Sequence, residues 1–218
     1  MPNSEIPLFT GSDLACRRGE KLVFADLSFA LARGGALLLQ GPNGSGKSSL
    51  LRLMSGLGRP ETGHLSWGGA AIADDPAAYR SRLIFVGHLD AIKPTLTAEE
   101  TLAFWAGMRG TSDRVTEALA HFSLNRFASL PCRLLSAGER KRLSLARLIA
   151  SPGELWLLDE PTSGLDAAAE SALLRAIASH RARGGAIAVA THAALELPGA
   201  TAISLPDYAQ RENAGRLA

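Results

Sequence analysis

The octapeptide Gly41-Pro42-Asn43-Gly44-Ser45-Gly46-Lys47-Ser48 constrains this chain more than any other stretch. A glycine, four variable residues and then Gly-Lys-Ser is the pattern whose backbone N–H groups wrap a phosphate. It carries that meaning only between a buried strand and a helix, and both flanks comply. Residues 36–40, Ala-Leu-Leu-Leu-Gln, are a short apolar run of the kind covered on both faces in a parallel sheet. Residues 48–56 place Leu50, Leu51, Leu53 and Met54 at helical spacing. The start of that helix adds partial positive charge to the loop. Lys47 is then placed to reach the outer phosphates and the Ser48 hydroxyl to ligate Mg²⁺, with Ser49 carrying the loop into the helix.

A second apolar run, Leu155-Trp156-Leu157-Leu158, ends in Asp159-Glu160-Pro161. A buried parallel strand delivers such acids to its carboxyl end, where ligands of open α/β sheets collect. Asp159 is expected to hold Mg²⁺ and Glu160 to polarise an attacking water as general base. Further strand runs are Leu83–Val86, Ala186–Ala190 and 200–205. Residues 6–34 read as short strands with turns, at 6–9, 13–16 and 23–31. Strands alternating with helical segments mean α/β with a parallel core. Residues 97–107 and 113–122 carry helical patterning and no buried-strand run, so residues 90–150 read as a helical subdomain inserted in one domain spanning 1–218. Thr97 followed by Glu100 forms a helix-opening capping pair. Residues after about Pro206 are polar and read as loose.

Composition excludes several classes. Hydrophobic residues make up 46% and charged residues 20% of 218, and the net charge is only +2. That is ordinary globular material. The densest basic run, Arg140-Lys141-Arg142, reads as a solvated helix face rather than a nucleic-acid patch, so no nucleic acid is expected as a partner. Cys16 and Cys132 lie in no metal-ligand spacing, and their scarcity suits a reducing compartment. The opening residues lack the charged start and apolar core of a signal peptide. No stretch approaches the roughly 20 apolar residues of a membrane span.

Together the phosphate loop and the acidic strand resemble the ABC (ATP-binding cassette) ATPases, over residues 6–205. Three further stretches extend the likeness. Leu135-Ser136-Ala137-Gly138-Glu139 resembles the family's signature Leu-Ser-Gly-Gly-Gln, at the start of a helix running to Ala150. Ser163-Gly164-Leu165-Asp166 resembles the loop that crosses the dimer interface, and Thr191-His192 the switch histidine. The resemblance implies a P-loop NTPase core with a parallel sheet, an N-terminal antiparallel β-subdomain and an inserted helical subdomain. It also implies that Ser136 to Glu139 close on ATP held by a second subunit, in a homodimer, that Asp166 serves the interface, and that His192 orients the water with Glu160. The family's Mg²⁺-touching glutamine is replaced: by register His88 stands there. The adenine-stacking aromatic is missing from residues 14–21, where Arg17 or Arg18 could stack instead.

Gly87-His88-Leu89-Asp90-Ala91-Ile92-Lys93-Pro94-Thr95-Leu96-Thr97 and the Leu-Ser-Ala-Gly signature are similar to the haem-exporter ATPases of cytochrome c maturation. That likeness implies a haem-exporter-type integral membrane partner and a peripheral place on the cytoplasmic face of the inner membrane. An ATPase serving another transporter, or a soluble ABC protein of DNA repair or translation, are the alternatives. The soluble kinds carry long coiled coils or two cassettes. Here about 90 residues separate loop and signature, without sustained heptads, and there is one cassette.

Overall fold

A computed structural model describes residues 7–88, 90–193 and 195–209. In chain order the elements are β1 (Phe9–Arg18), β2 (Lys21–Leu31), β3 (Ala36–Gln40), α1 (Lys47–Met54), β4 (Thr62–Trp67), β5 (Ala70–Ala71), α2 (Pro76–Ser81) and β6 (Leu83–Val86). Then follow α3 (Ala98–Gly107), α4 (Val115–His121), α5 (Ala137–Ala150), β7 (Leu155–Asp159), α6 (Ala167–Ala182), β8 (Ala186–Ala190) and β9 (Thr201–Ser204).

Two sheets result. β2-β1-β4-β5 is antiparallel, and β6-β7-β8-β3-β9 is joined by parallel ladders. The parallel strands are buried throughout except at Gln40, Phe85 and parts of β9. Their side chains alternate between two cores. Leu37, Leu39, Leu155 and Leu157 pack with α1 (Leu50, Leu51, Met54) and with Phe24, Leu27 and Phe29 of the antiparallel sheet. Ala36, Leu38, Trp156, Leu158, Ile187 and Val189 face the other side, against α5 and α6. β8 shows why the sequence alternates as it does: Ala186, Ala188 and Ala190 lie in the core that holds α1, where small side chains let the helix approach, and Ile187 and Val189 fill the opposite core.

The helical segment packs through Leu102, Ala106, Val115, Ala118 and Leu119 onto Leu143 of α5, in one cluster continuous with the sheet. The capping pair opens α3: the Glu100 carboxylate accepts from Thr97 N at 2.8 Å and the Thr97 hydroxyl accepts from Glu100 N at 3.1 Å. Arg109 fastens α3 to the sheet by donating to the carbonyls of Ser81, Leu83 (2.7 Å) and Pro152 (3.2 Å).

Three expectations change. The turn read between residues 9 and 13 is a bulge inside one strand: Asp13 takes φ 51°, and its N–H donates to the Ser28 hydroxyl at 2.9 Å. The first residue of the run at 6–9 lies outside the described residues. The tail does not loosen at Pro206, since Leu205–Tyr208 form a 3₁₀ turn with Leu205 buried and Tyr208 packed on the core; residues 210–218 lie outside the described residues. The basic run is not a solvated face either. Arg140 donates to Leu135 O and Arg142 to Phe122 O, and Lys141 is buried. Lys141 takes the inner side of α5, with half-buried Arg140 and Arg142 flanking it, and a short charge run does not announce that.

Candidate functional site

The carboxyl ends of β3, β7, β8 and β6 emerge at the same edge of the parallel sheet, and the residues that follow them line one cleft of about 1280 Å³. β3 leads into the loop 41–46. Gly41, Gly44 and Gly46 all take positive φ (142°, 83° and 106°). At Gly46 a side chain is also excluded by space, because a Cβ would stand 2.5 Å from Val23 Cγ1. Pro42, Asn43, Gly44, Ser45, Gly46, Lys47, Ser48 and Ser49 all border the cleft. The Ser45 hydroxyl is buried without a hydrogen-bond partner. Lys47 begins α1 and is only 6% exposed. Its ammonium donates to Gly41 O at 2.7 Å and Pro42 O at 3.2 Å.

β7 delivers Asp159, which is buried, and then Glu160. Glu160 adopts φ 47°, a left-handed conformation that a glutamate rarely takes and that costs on the order of 1–3 kcal/mol. The Glu160 N–H is pinned by donation to Ala190 O at 2.8 Å, across to β8. Oε1 of Glu160 lies 2.9 Å from His192 Nδ1 and 3.8 Å from Lys47 Nζ. A lysine and a histidine from two other parts of the chain thus converge on the Glu160 carboxylate. His88, after β6, lines the same cleft and is exposed.

The signature residues lie elsewhere. Ser136 caps α5, with its hydroxyl accepting from Glu139 N at 3.2 Å and the Glu139 carboxylate accepting from Ser136 N at 2.7 Å. That backbone bond, aided by Arg142 and Arg126, holds the Glu139 carboxyl below its usual range. Ser136, Ala137, Gly138 and Glu139 do not border the cleft. The link between the two places is the loop after Glu160: Ser163 borders the cleft, and a Cβ on Gly138 would meet Gly164 O at 3.5 Å. The Asp166 carboxylate accepts from Ala169 N at 2.8 Å and caps α6. Of the two arginines weighed for adenine, Arg17 donates to Glu20 O and pairs with Glu61 at 3.7 Å, whereas Arg18 borders the cleft.

Some cleft residues escaped the sequence. Lys21, Leu22 and Val23 form a wall, and Pro206 and Ala209 reach the cleft from the end of the described chain. Lys141 is buried where the charges of Asp90, Asp159 and Glu160 act on it, and burial, opposed by those acids, lowers its pKa. The same face of α5 fastens Asp90, whose carbonyl accepts from the Ser144 hydroxyl at 3.3 Å.

Residues 24–163 match the family described as ABC transporter. Among curated proteins, a cytochrome c biogenesis ATP-binding export protein CcmA of Rhodospirillum rubrum is 56% identical over 203 residues, covering 93% of this chain and 87% of that protein. The protein so named in Paramagnetospirillum magneticum is 48% identical, covering 94% and 96%. Among solved structures, an ATP-binding subunit of an ABC transporter is 30% identical with TM-score 0.79, covering 85% of this chain and 79% of that one. A putative ABC transporter ATP-binding protein of Pyrococcus furiosus shares the fold at 20% identity with TM-score 0.81, covering 93% and 99%.

Proposed function

The chain belongs to the ABC transporter family, in the group of cytochrome c biogenesis ATP-binding export proteins, and on that premise we propose that it hydrolyses ATP to drive haem export for c-type cytochrome assembly. The observation that carries the ATPase reading is the convergence of Lys47 and His192 on the Glu160 carboxylate, at the mouth of the phosphate loop.

The chemistry follows from the positions. The N–H groups of Gly41 to Gly46 and the start of α1 take the phosphates, and Lys47 exchanges its loop carbonyls for phosphate oxygens. The Ser48 hydroxyl and the Asp159 carboxylate are hard oxygen donors on one cleft and would hold Mg²⁺ there. His88 lines the same cleft, where its imidazole would hydrogen-bond a metal-bound water. Mg²⁺ supplies charge neutralisation on the phosphates. Glu160 accepts the proton of the attacking water, and the contact of His192 Nδ1 with Glu160 Oε1 at 2.9 Å orients that carboxylate. The strained Glu160 backbone, tied to Ala190, keeps the carboxylate aimed.

Because Ser136 to Glu139 do not border the cleft of their own chain, they serve the ATP of a second copy in a homodimer, with Asp166 and its loop between the two sites. A Ser hydroxyl at a helix N-terminus is an anion site for that γ-phosphate. No helix among the described residues is long and apolar enough to cross a membrane. The names of its relatives, cytochrome c biogenesis ATP-binding export proteins, support a place on the cytoplasmic face of the inner membrane, acting through a haem-exporter-type integral partner. The stretch 87–97, which runs from the cleft into α3, faces that partner. Deleting the gene in its host and staining for covalently bound haem tests the cargo. Loss of every c-type cytochrome is expected. Normal levels of all of them would overturn the haem reading and leave the ATPase intact.

A further inference from the structure

Lys47 and Lys141 are the buried lysines among the described residues. Lys47 faces the cleft, whereas Lys141 lies on α5, is only 7% exposed and does not border the cleft. Among the described residues Lys141 makes no ion pair. Burying an ammonium forfeits its hydration, and an apolar side chain of similar volume fills such a place at less cost. The surroundings show what the charge is there for. Burial works against the ammonium, and the charges of Asp90, Asp159 and Glu160 work in its favour. Those acids follow or close two neighbouring strands: Asp90 comes after β6, and Asp159 and Glu160 stand at the end of β7. The Lys141 face of α5 is fastened to the first of these ends. Ser144, three residues on and on the same face, donates its hydroxyl to Asp90 O at 3.3 Å.

Asp159 and Glu160 are consecutive carboxylates, and like charges so close repel. The other lysine near Glu160 is Lys47, at 3.8 Å, and it turns to the phosphates when ATP binds. ATP then adds its own negative charge to the cleft. A cation that stays behind the acids and never binds phosphate compensates both repulsions, at no cost of reorganisation during the reaction. We propose that Lys141 is a positioning residue for ATP hydrolysis: from behind the cleft its fixed positive charge holds the Asp159 and Glu160 carboxylates against each other and against the phosphates, so that Glu160 stays aimed at the attacking water. The inference rests on the ATPase reading above and adds to that site a residue outside its cleft.

The test compares the full wild-type chain with Lys141→Met, Lys141→Arg, Glu160→Gln and the double variant Lys141→Met/Glu160→Gln. Single-turnover phosphate release, equilibrium ATP binding and thermal melting are measured on each. Lys141→Met is expected to release phosphate about tenfold more slowly, with ATP affinity within about twofold of wild type, because the loop 41–46 and Lys47 stay in place. It should melt no lower than wild type, since methionine fills the space without a buried charge. Lys141→Arg keeps the charge and should recover most of the rate. In the Glu160→Gln background, Lys141→Met should cost about twofold or less, because the carboxylate it positions is already gone. Lys141→Gln, neutral but polar, carries the same expectations on rate if the methionine chain does not fold. A tenfold loss that persists in the Glu160→Gln background, an unchanged rate in Lys141→Met, or an arginine chain as slow as the methionine chain would overturn the role of Lys141 alone. Glu160→Gln that turns over at the wild-type rate would overturn the ATPase reading of the site with it.

Discussion

Glu160→Gln is expected to lower ATP turnover by roughly 10²–10⁴-fold, the usual share of a positioned general base, while ATP affinity changes little. Glutamine keeps the shape and can still bond His192, but it cannot take the proton of water. Ground-state contacts to the phosphates are expected from the loop 41–46 and Lys47, which stay in place, although Lys47 loses the charge of the carboxylate 3.8 Å away. Turnover and binding therefore separate, and ATP should accumulate on the protein. Phosphate release and equilibrium binding of ATP, measured on the same preparation, check this. Unchanged turnover would remove Glu160 from the chemistry and leave its left-handed backbone without a functional reason.

Lys47→Ala is expected to abolish turnover and to weaken ATP binding together. Its ammonium is the cation at the loop, nearly buried and donating to Gly41 O and Pro42 O. A charge-assisted hydrogen bond to an ionised group contributes about 1.5–3 kcal/mol, which corresponds to roughly 10–150-fold in affinity. The loss in rate should exceed the loss in affinity, because charge on the transferring phosphoryl group grows toward the transition state. Truncation also leaves Glu160 without its nearby positive charge at 3.8 Å. ATP affinity and turnover at saturating ATP separate the two effects, and wild-type values for both would contradict the role given to Lys47.

The parts of this site that could be read in the sequence are those whose chemistry is written in local spacing. The loop 41–48 needs its glycines for backbone geometry, and Gly46 shows why: positive φ and no room beside Val23. Asp159 and Glu160 announce themselves by closing an apolar run. Ser136 and Glu139 form a capping pair three residues apart, so the start of α5 is local information. The rest depends on who lies across from whom. Nothing in the sequence places β8 between β7 and β3, yet that order is what brings His192 to Glu160. The left-handed backbone of Glu160 accompanies its bond to Ala190 across the sheet, and nothing about a glutamate foretells it. Lys141 and Arg147 read in the sequence as surface charges of one helix, and only their burial, with Arg147 stacked on Trp105, distinguishes them. The bulge at Asp13 likewise looks like a turn until Ser28 is seen holding it inside a strand.

The proposed ATP site is built by one chain and completed by α5 of another. Ser136→Arg tests it most directly. Ser136 lies off its own chain's cleft, so the substitution should leave ATP affinity unchanged while turnover falls to background. The cap itself contributes on the order of 1 kcal/mol, so a melting curve confirms that the protein is still folded. Mixed with Lys47→Ala chains, the variant should regain activity, because each mixed pair contains one site with an intact loop and an intact signature. Folded Ser136→Arg protein that hydrolyses ATP alone at the wild-type rate would contradict the two-chain site.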